Sequence, residues 1–204
     1  VKTKNNTRDM ILEAATRLFQ RQGYNGTGVN QIIEESGTPK GSLYYHFPKG
    51  KEEIALEAIQ LVKEHILEQT KLDLLSADNV IQAFEQHITN VAHFYDKEDC
   101  KEWLKIGHLA TETAYTHESI RHSCEKAFTE WQKIYADTLM HHGYEEKKAQ
   151  DLAITINVML EGATTISLTQ KNGNTLRVIA DQVKVLLQEK KSGGKKNEHR
   201  KSDA

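Results

Sequence analysis

Residues 27–51 read TGVNQIIEESGTPKGSLYYHFPKGK, and their spacing decides the fold of the chain. Val29, Ile32 and Ile33 recur at helical spacing, which gives a first short helix one inward face, and Gly37 ends it. Thr38 then offers an N-cap hydroxyl, and Pro39 takes the first helical position, where a missing N–H costs nothing. The second helix runs from Lys40 through Phe47, and Pro48 stops it. The chain has only two prolines, and they bracket this helix. Leu43 and Phe47, four apart, share a core-facing side, which leaves Lys40, Gly41, Ser42, Tyr44, Tyr45 and His46 outside.

That outward set suits a DNA duplex. Lys40 can reach a guanine edge or a phosphate, and Ser42 can bond a base or a backbone oxygen. Gly41 has no side chain, so the start of the helix can approach closely. Tyr44, Tyr45 and His46 can hydrogen-bond phosphate, and the helix N-terminus adds a partial positive charge. Two helices joined by a tight turn, the second entering the major groove by its N-terminal end, make a helix-turn-helix.

The charge distribution agrees. The formal net charge of −2 hides an asymmetry: residues 1–51 hold eight Lys/Arg against four Asp/Glu, a net of +4. Residues 52–189 hold thirteen against twenty-three, a net of −10, and residues 190–204 six against two, again +4. The positive charge accompanies the helix-turn-helix, as phosphate contact with counterion release requires. An acidic body keeps the wrong face off DNA.

The run GTPKGSLYYHFPKGKEEI (residues 37–54) closely resembles the DNA-binding signature of TetR-family transcriptional regulators. The resemblance spans roughly residues 7–60: the glycine, lysine-glycine, leucine-tyrosine, histidine-phenylalanine and lysine-glutamate pairs all fall in order. One departure stands out. Pro48, Lys49 and Gly50 separate Phe47 from Lys51, one residue more than in most members, and this resembles the subgroup of drug- and flavonoid-responsive repressors. The resemblance implies DNA contacts from Thr27, Asn30, Thr38, Lys40, Gly41, Ser42, Tyr44, Tyr45, His46 and Lys51.

The remaining pattern is helical, and the expected architecture is all-α with about nine helices. Before the signature, 7–22 carries Ile11, Leu12, Ala14, Ala15, Leu18 and Phe19 on one face and ends at Gly23, closing a three-helix head. Arg8, near its start, reads equally as a phosphate contact or a solvated surface residue. Further helices are expected over 51–72, from Ser76–Ala77–Asp78 to 96, over 99–116, 117–142 and 145–170, and, after the turn Asn172–Gly173–Asn174, over 175–189. The basic segment 190–204 is expected to be a flexible tail. The domain reading is a DNA head over 1–50, a ligand and dimer body over 51–189, and that tail. With no apolar run near the ~20 residues of a membrane span and no signal region, the expectation is a cytoplasmic protein without membrane contact. Cys100 and Cys124 lack metal spacing and read as reduced thiols.

Side chains that would line an effector cavity in the body are Phe84, His87, Val91, Phe94, Trp103, Ile106, Gly107, His108, Trp131, Tyr135, Asn157 and Met159. Taken one by one, the same residues read as ordinary core, and the resemblance is what implies a cavity among them. None of the ten histidines pairs at the i, i+4 spacing of a helical chelate, so no metal and no cofactor is expected. No nucleophile elbow, phosphate loop or dinucleotide fingerprint occurs, so the chain does not read as an enzyme. Glu112 and Glu161 read as capping or inter-helix hydrogen-bonding carboxylates. On the last two helices, Gly162, Ala163 and Ile166 and then Leu176, Ile179, Val183 and Leu186 mark stripes that either finish the protomer core or, as the resemblance implies, pair with a second copy. The leading reading is a homodimeric repressor, released from double-stranded operator DNA by a small, largely apolar or aromatic effector. Its rivals are a constitutive DNA binder without effector and an all-helical enzyme carrying a DNA head.

Overall fold

The computed structural model describes residues 6–75, 77–97 and 105–188. Among them lie nine α-helices and no strand: α1 (Thr7–Gln22), α2 (Val29–Ser36), α3 (Lys40–His46), α4 (Lys51–Leu75), α5 (Val80–Tyr95), α6 (Ile106–Thr113), α7 (Glu118–His141), α8 (Glu146–Gln170) and α9 (Asn174–Gln188). The described residues form two compact units, 6–68 with 105–131, and 69–75 and 77–97 with 132–188. The long helices α4 and α7 each run from one unit into the other.

The first unit is built around the head. Ile11, Ala15 and Phe19 of α1, Ile32 of α2, Leu43 and Phe47 at α3, and Ile54, Ala58 and Ile59 of α4 share one core. Ile106 and Leu109 of α6 and Ile120, Cys124 and Ala127 of α7 enter that same core. Lys63 is buried on α4, and its Nζ meets a Glu130 carboxylate oxygen on α7 at 2.9 Å. A buried ammonium needs such a partner. Arg8 is committed in the same way. Its guanidinium pairs with Glu57 and lies 5.2 Å from the Phe47 ring centre, so it braces α1 on α4 and is no free phosphate ligand. The Cys124 thiol is buried and its pKa is pushed up to about 11 by that burial, while Cys100 lies outside the described residues.

In the second unit α5, α8 and α9 pack together. Ala149, Leu152, Ala153, Ile156, Leu160 and Ala163 of α8 face inward. Gly173, just before α9, sits so close to α5 that a Cβ there would lie 2.3 Å from the Ala92 carbonyl oxygen. Its N–H donates to Asp96 Oδ1 at 2.9 Å, and Arg177 pairs with the same carboxylate. The Arg177 and Gly173 hydrogen bonds hold the Asp96 carboxyl below its usual range, so the tie is complete at neutral pH and is lost only as acid protonates the carboxylate.

Several boundaries differ from the sequence reading for identifiable reasons. The fifth helix starts at Val80, because Asn79, not Asp78, caps it: its Oδ1 accepts from the Ile81 N–H at 2.9 Å. The helix expected over 99–116 is described only as Ile106–Thr113, since 98–104 lie outside the described residues, as do Ser76 and the 190–204 segment. Leu176 and Val183 of α9 and Ala163 of α8 are buried within the protomer, so they finish its core rather than an outer stripe. The large apolar residues that remain outside on α8 are Ile154, Val158, Ile166 and Leu168, and the first three recur with Gly162 every fourth position. On α9 they are Val178 and Val185, seven apart. By length and composition alone α8 is the one described helix long and apolar enough to cross a membrane, and much of its apolar side is already buried in the core of the second unit.

Gly173→Ala is expected to destabilise the second unit by about 1–3 kcal/mol, because the new methyl meets backbone that cannot rotate away. Urea unfolding of the variant beside wild type measures it, and an unchanged midpoint would contradict the close approach.

Candidate nucleic-acid interface

The helix-turn-helix is closed by backbone geometry. Gly37 adopts the left-handed conformation (φ 64°) that ends α2, and its N–H returns to the Glu34 carbonyl at 3.2 Å. Pro39 is the N-cap of α3 rather than its first helical residue. Its extended backbone (φ −63°, ψ 145°) turns its carbonyl to the Ser42 N–H at 2.9 Å. Thr38 therefore does not cap α3. Its Oγ1 is buried and shares a 2.8 Å hydrogen bond with Ser36 Oγ. At the far end the extra residue between Phe47 and Lys51 is absorbed by a tight turn. Gly50 (φ 67°) donates to the Phe47 carbonyl at 2.9 Å, and Glu53 accepts from the Lys49 N–H at 2.9 Å.

Leu43 and Phe47 are fully buried, and this orients α3. Lys40, Gly41, Tyr44 and Tyr45 are exposed, Tyr45 at 81%, while Ser42 and His46 are half-exposed beside them. The Tyr45 and His46 rings meet edge-on with centres 5.0 Å apart. A Cβ on Gly41 would meet nothing within 4 Å, so no neighbour inside the chain demands glycine there. Asn30, on α2, is exposed on its own helix. The structure thus brings Lys40, Gly41, Ser42, Tyr44, Tyr45 and His46 onto one outward face.

Three residues of the expected DNA set face inward instead. Thr38 has been described. Thr27 is buried, and its Oγ1 donates to the Gly23 carbonyl at 2.7 Å. Lys51 turns back under the loop between α1 and α2. Its Nζ donates to the Tyr24 and Thr27 carbonyls, each at 3.0 Å, and lies 4.1 Å from the Tyr24 ring centre. Burial lowers the Lys51 ammonium pKa, and the nearby Glu112 carboxylate opposes that shift. In this conformation the side chains of Thr27, Thr38 and Lys51 support the reading face and are not part of it.

The same loop holds what the sequence did not reveal. Glu112, at the end of α6, accepts the Tyr24 N–H at Oε2 and the Asn25 N–H at Oε1, both at 2.7 Å. Glu112 is a hydrogen-bonding carboxylate as expected, but it bonds loop amides rather than a facing helix, and these lie 88 and 87 residues away, beyond any local signal. Lys49 is a further exposed cation next to α3 that the sequence reading left unassigned.

The expected effector residues divide between the two units. Ile106, Gly107, His108 and Trp131 belong to the first, where Ile106 is buried, Gly107 and Trp131 half-buried and His108 exposed. Phe84, His87, Val91, Phe94, Tyr135, Asn157 and Met159 belong to the second, and Trp103 lies outside the described residues. Within the second unit His87 is buried between two partners: Nδ1 is 2.8 Å from Asp73 Oδ2 and Nε2 is 2.8 Å from Tyr135 Oη. The Phe84 ring packs on Tyr135 with centres 5.3 Å apart. Asn157 is buried, and its Oδ1 accepts from Gln132 Nε2 at 3.1 Å. Its Nδ2 has no hydrogen-bond partner among the described residues.

Comparison with known proteins matches the chain in two stretches. Residues 11–58 match the family described as bacterial regulatory proteins, tetR family. Residues 80–182 match the C-terminal domain of LmrA/YxaF-like transcriptional regulators. The regulator LmrA of Bacillus subtilis (strain 168) is 45% identical over 185 residues, covering 89% of this chain and 96% of that protein. The uncharacterised regulator YxaF of the same strain is 40% identical over 191 residues, covering 92% and 98%. Among solved structures, a TetR transcriptional regulator from Chloroflexus aurantiacus superposes with a TM-score of 0.77 at 22% identity, covering 90% of this chain and 94% of that one. Reduced NemR of E. coli superposes at 0.79 with 16% identity, covering 89% and 96%. An outward-facing recognition helix on a three-helix head, full-length similarity to LmrA and YxaF, and the shared all-α fold lead to one conclusion: this chain belongs to the TetR family of helix-turn-helix transcriptional regulators, proteins that bind DNA and are not enzymes.

Proposed function

We propose that this regulator is a cytoplasmic homodimeric repressor that leaves a palindromic operator when a small, largely apolar or aromatic effector binds its body. The observation that carries the DNA half is the outward face of α3, where Lys40, Ser42, Tyr44 and Tyr45 surround an unobstructed Gly41. In this reading residues 1–50 act as the DNA head and 51–189 as the effector and dimer body. Lys40 reads a base edge, the tyrosines, His46 and Asn30 bond phosphate, and Gly41 lets the backbone come close.

The dimer half rests on the stripe Ile154, Val158, Gly162 and Ile166 with Val178 and Val185, apolar and exposed on the two last helices. Pairing these helices with their mates would bury that stripe in a four-helix arrangement. It would also account for the apolar character of α8 without a bilayer. The effector half rests on the aromatic and aliphatic side chains that α5, α7 and α8 bring to the second unit, Phe84, Val91, Tyr135 and Met159 among them, the kind that line ligand sites between helices. Asn157 Nδ2, buried without a partner, suits a carbonyl or phenolic oxygen on such a molecule.

Four outcomes are expected. Gly41→Ala should keep or slightly raise stability, because alanine is favoured over glycine in a helix by roughly 0.5–1 kcal/mol, yet weaken operator binding through the added methyl. Duplexes selected from a random pool by the wild type, then titrated with the variant, measure this; unaltered affinity would remove close backbone approach at Gly41. Val158→Asp should yield folded monomers in sedimentation at micromolar concentration, whereas a stable dimer would displace the interface from α8. A planar aromatic compound found to release the operator should bind the protein less tightly when operator is present. The factor must equal its own effect on operator affinity, typically about 5–150-fold. Asn157→Leu should weaken that compound alone; equal binding with and without operator would make the compound a passenger.

A further inference from the structure

The loop between α1 and α2 has almost every backbone polar group committed. Besides the two N–H groups on Glu112, Gly23 donates to Phe19, Thr27 to Tyr24, and Gly28 to Gln31 Oε1 at 2.8 Å. The Gly26 carbonyl accepts from Gln22 Nε2 at 2.7 Å, and the Tyr24 and Thr27 carbonyls accept from Lys51. All of these partners come from the head or α4, with one exception. Glu112 comes from α6, so α6 grips the loop through a single side chain.

The grip is shaped for a carboxylate. Both bonds are at the short end for an N–H on an ionised acceptor, one oxygen to each of two successive amides. Gly23 makes room for it: a Cβ there would stand 2.6 Å from Oε2 and 2.9 Å from Oε1. Gly23 also holds φ at 76°, which a side chain would resist. The Tyr24 ring is enclosed too, with Lys51 over its face and the His117 ring edge-on at 4.6 Å. Four residues beyond Asn25 the chain enters α2, whose turn aims α3.

We propose that Glu112 is a positioning residue for operator recognition. It touches no DNA. By holding the Tyr24 and Asn25 amides it sets the loop that delivers α2 and α3, and it makes the pose of the reading face depend on where the end of α6 lies. The proposal rests on the operator-binding reading above. Electrostatics separates it from a trivial effect. Neutralising a carboxylate on a DNA-binding protein should by charge alone tighten binding to any duplex. Lost operator affinity would therefore run against the charge effect.

The experiment uses the full-length protein, a duplex selected from a random pool by the wild type, and a random duplex of equal length. Wild type, Glu112→Gln and Glu112→Ala are titrated by fluorescence anisotropy at one salt concentration, and each is melted by circular dichroism. Gln keeps the shape but turns an amide NH₂ toward one of the two N–H groups, so it should retain one bond, and Ala none. The ratio of operator to random affinity is expected to fall on the order of tenfold in Gln and further in Ala, the worth of charge-assisted bonds. Random-duplex binding should hold or tighten, and amide exchange at Asn25, an exposed residue, should be slow in wild type and fast in both variants. A ratio unchanged in folded variants would overturn the proposal, as would equal losses on both duplexes. If a variant fails to fold, wild-type Tyr24 and Asn25 amides exchanging at free-loop rates would overturn it instead. A wild type that selects no preferred duplex is a separate result, and it would remove the operator-binding reading itself.

Discussion

Everything this chain presents to DNA depends on the burial of Leu43 and Phe47. Both have no exposed surface; Leu43 lies within, and Phe47 directly follows, a seven-residue helix too short to hold its own shape in water. Packing against Phe19, Ile32 and Ile54 therefore makes α3 a helix and at the same time chooses its outward face. Burying a Leu or Phe side chain is worth about 1.5–3 kcal/mol, several times a surface hydrogen bond. The rotation of the reading face is set by that apolar pair, and the polar residues take the positions left over.

A second constraint acts on the loop before α2. Cations and anions there do not face solvent as a basic surface would. Lys51 and Glu112 approach the loop carrying opposite charge, the cation on two carbonyls and the anion on two N–H groups. Such bonds are directional, whereas the apolar core below tolerates small rotations. The loop is thus held by hydrogen bonds and the helix by burial. The described residues of α6 and the start of α7 share the core of the head, so movement at the end of α6 has a direct mechanical route to the helix-turn-helix.

How much of this was legible follows from the range of each interaction. The helix-turn-helix could be read because its information is local: Gly37, the two prolines, and Leu43 with Phe47 four apart. The all-α fold was legible from periodicity alone. The inward turn of Thr27, Thr38 and Lys51 was not, since polar residues beside a DNA-reading helix look alike whether they bond phosphate or a carbonyl. Lys51 chose the carbonyls because the loop offers two of them within reach of one ammonium. On the last helices the pattern showed apolar positions but not which of two neighbours each would face. Leu176 and Val183 went inward, and Val178 and Val185 outward. Glu112 could be read as a hydrogen-bonding carboxylate, but its partner required the folded chain. The interior of the second unit was the least legible, because the aromatic residues of a core and of a ligand site share one helical spacing.

The central claim is that two copies of this head read DNA as a symmetric pair. Hydroxyl-radical footprinting of the full-length protein on a duplex it has selected tests this most directly. The account expects two protected patches related by a two-fold axis, their centres separated by about 34–36 Å or a further whole number of turns, as paired recognition helices require. A single unpaired patch, or uniform protection without a defined centre, would contradict it.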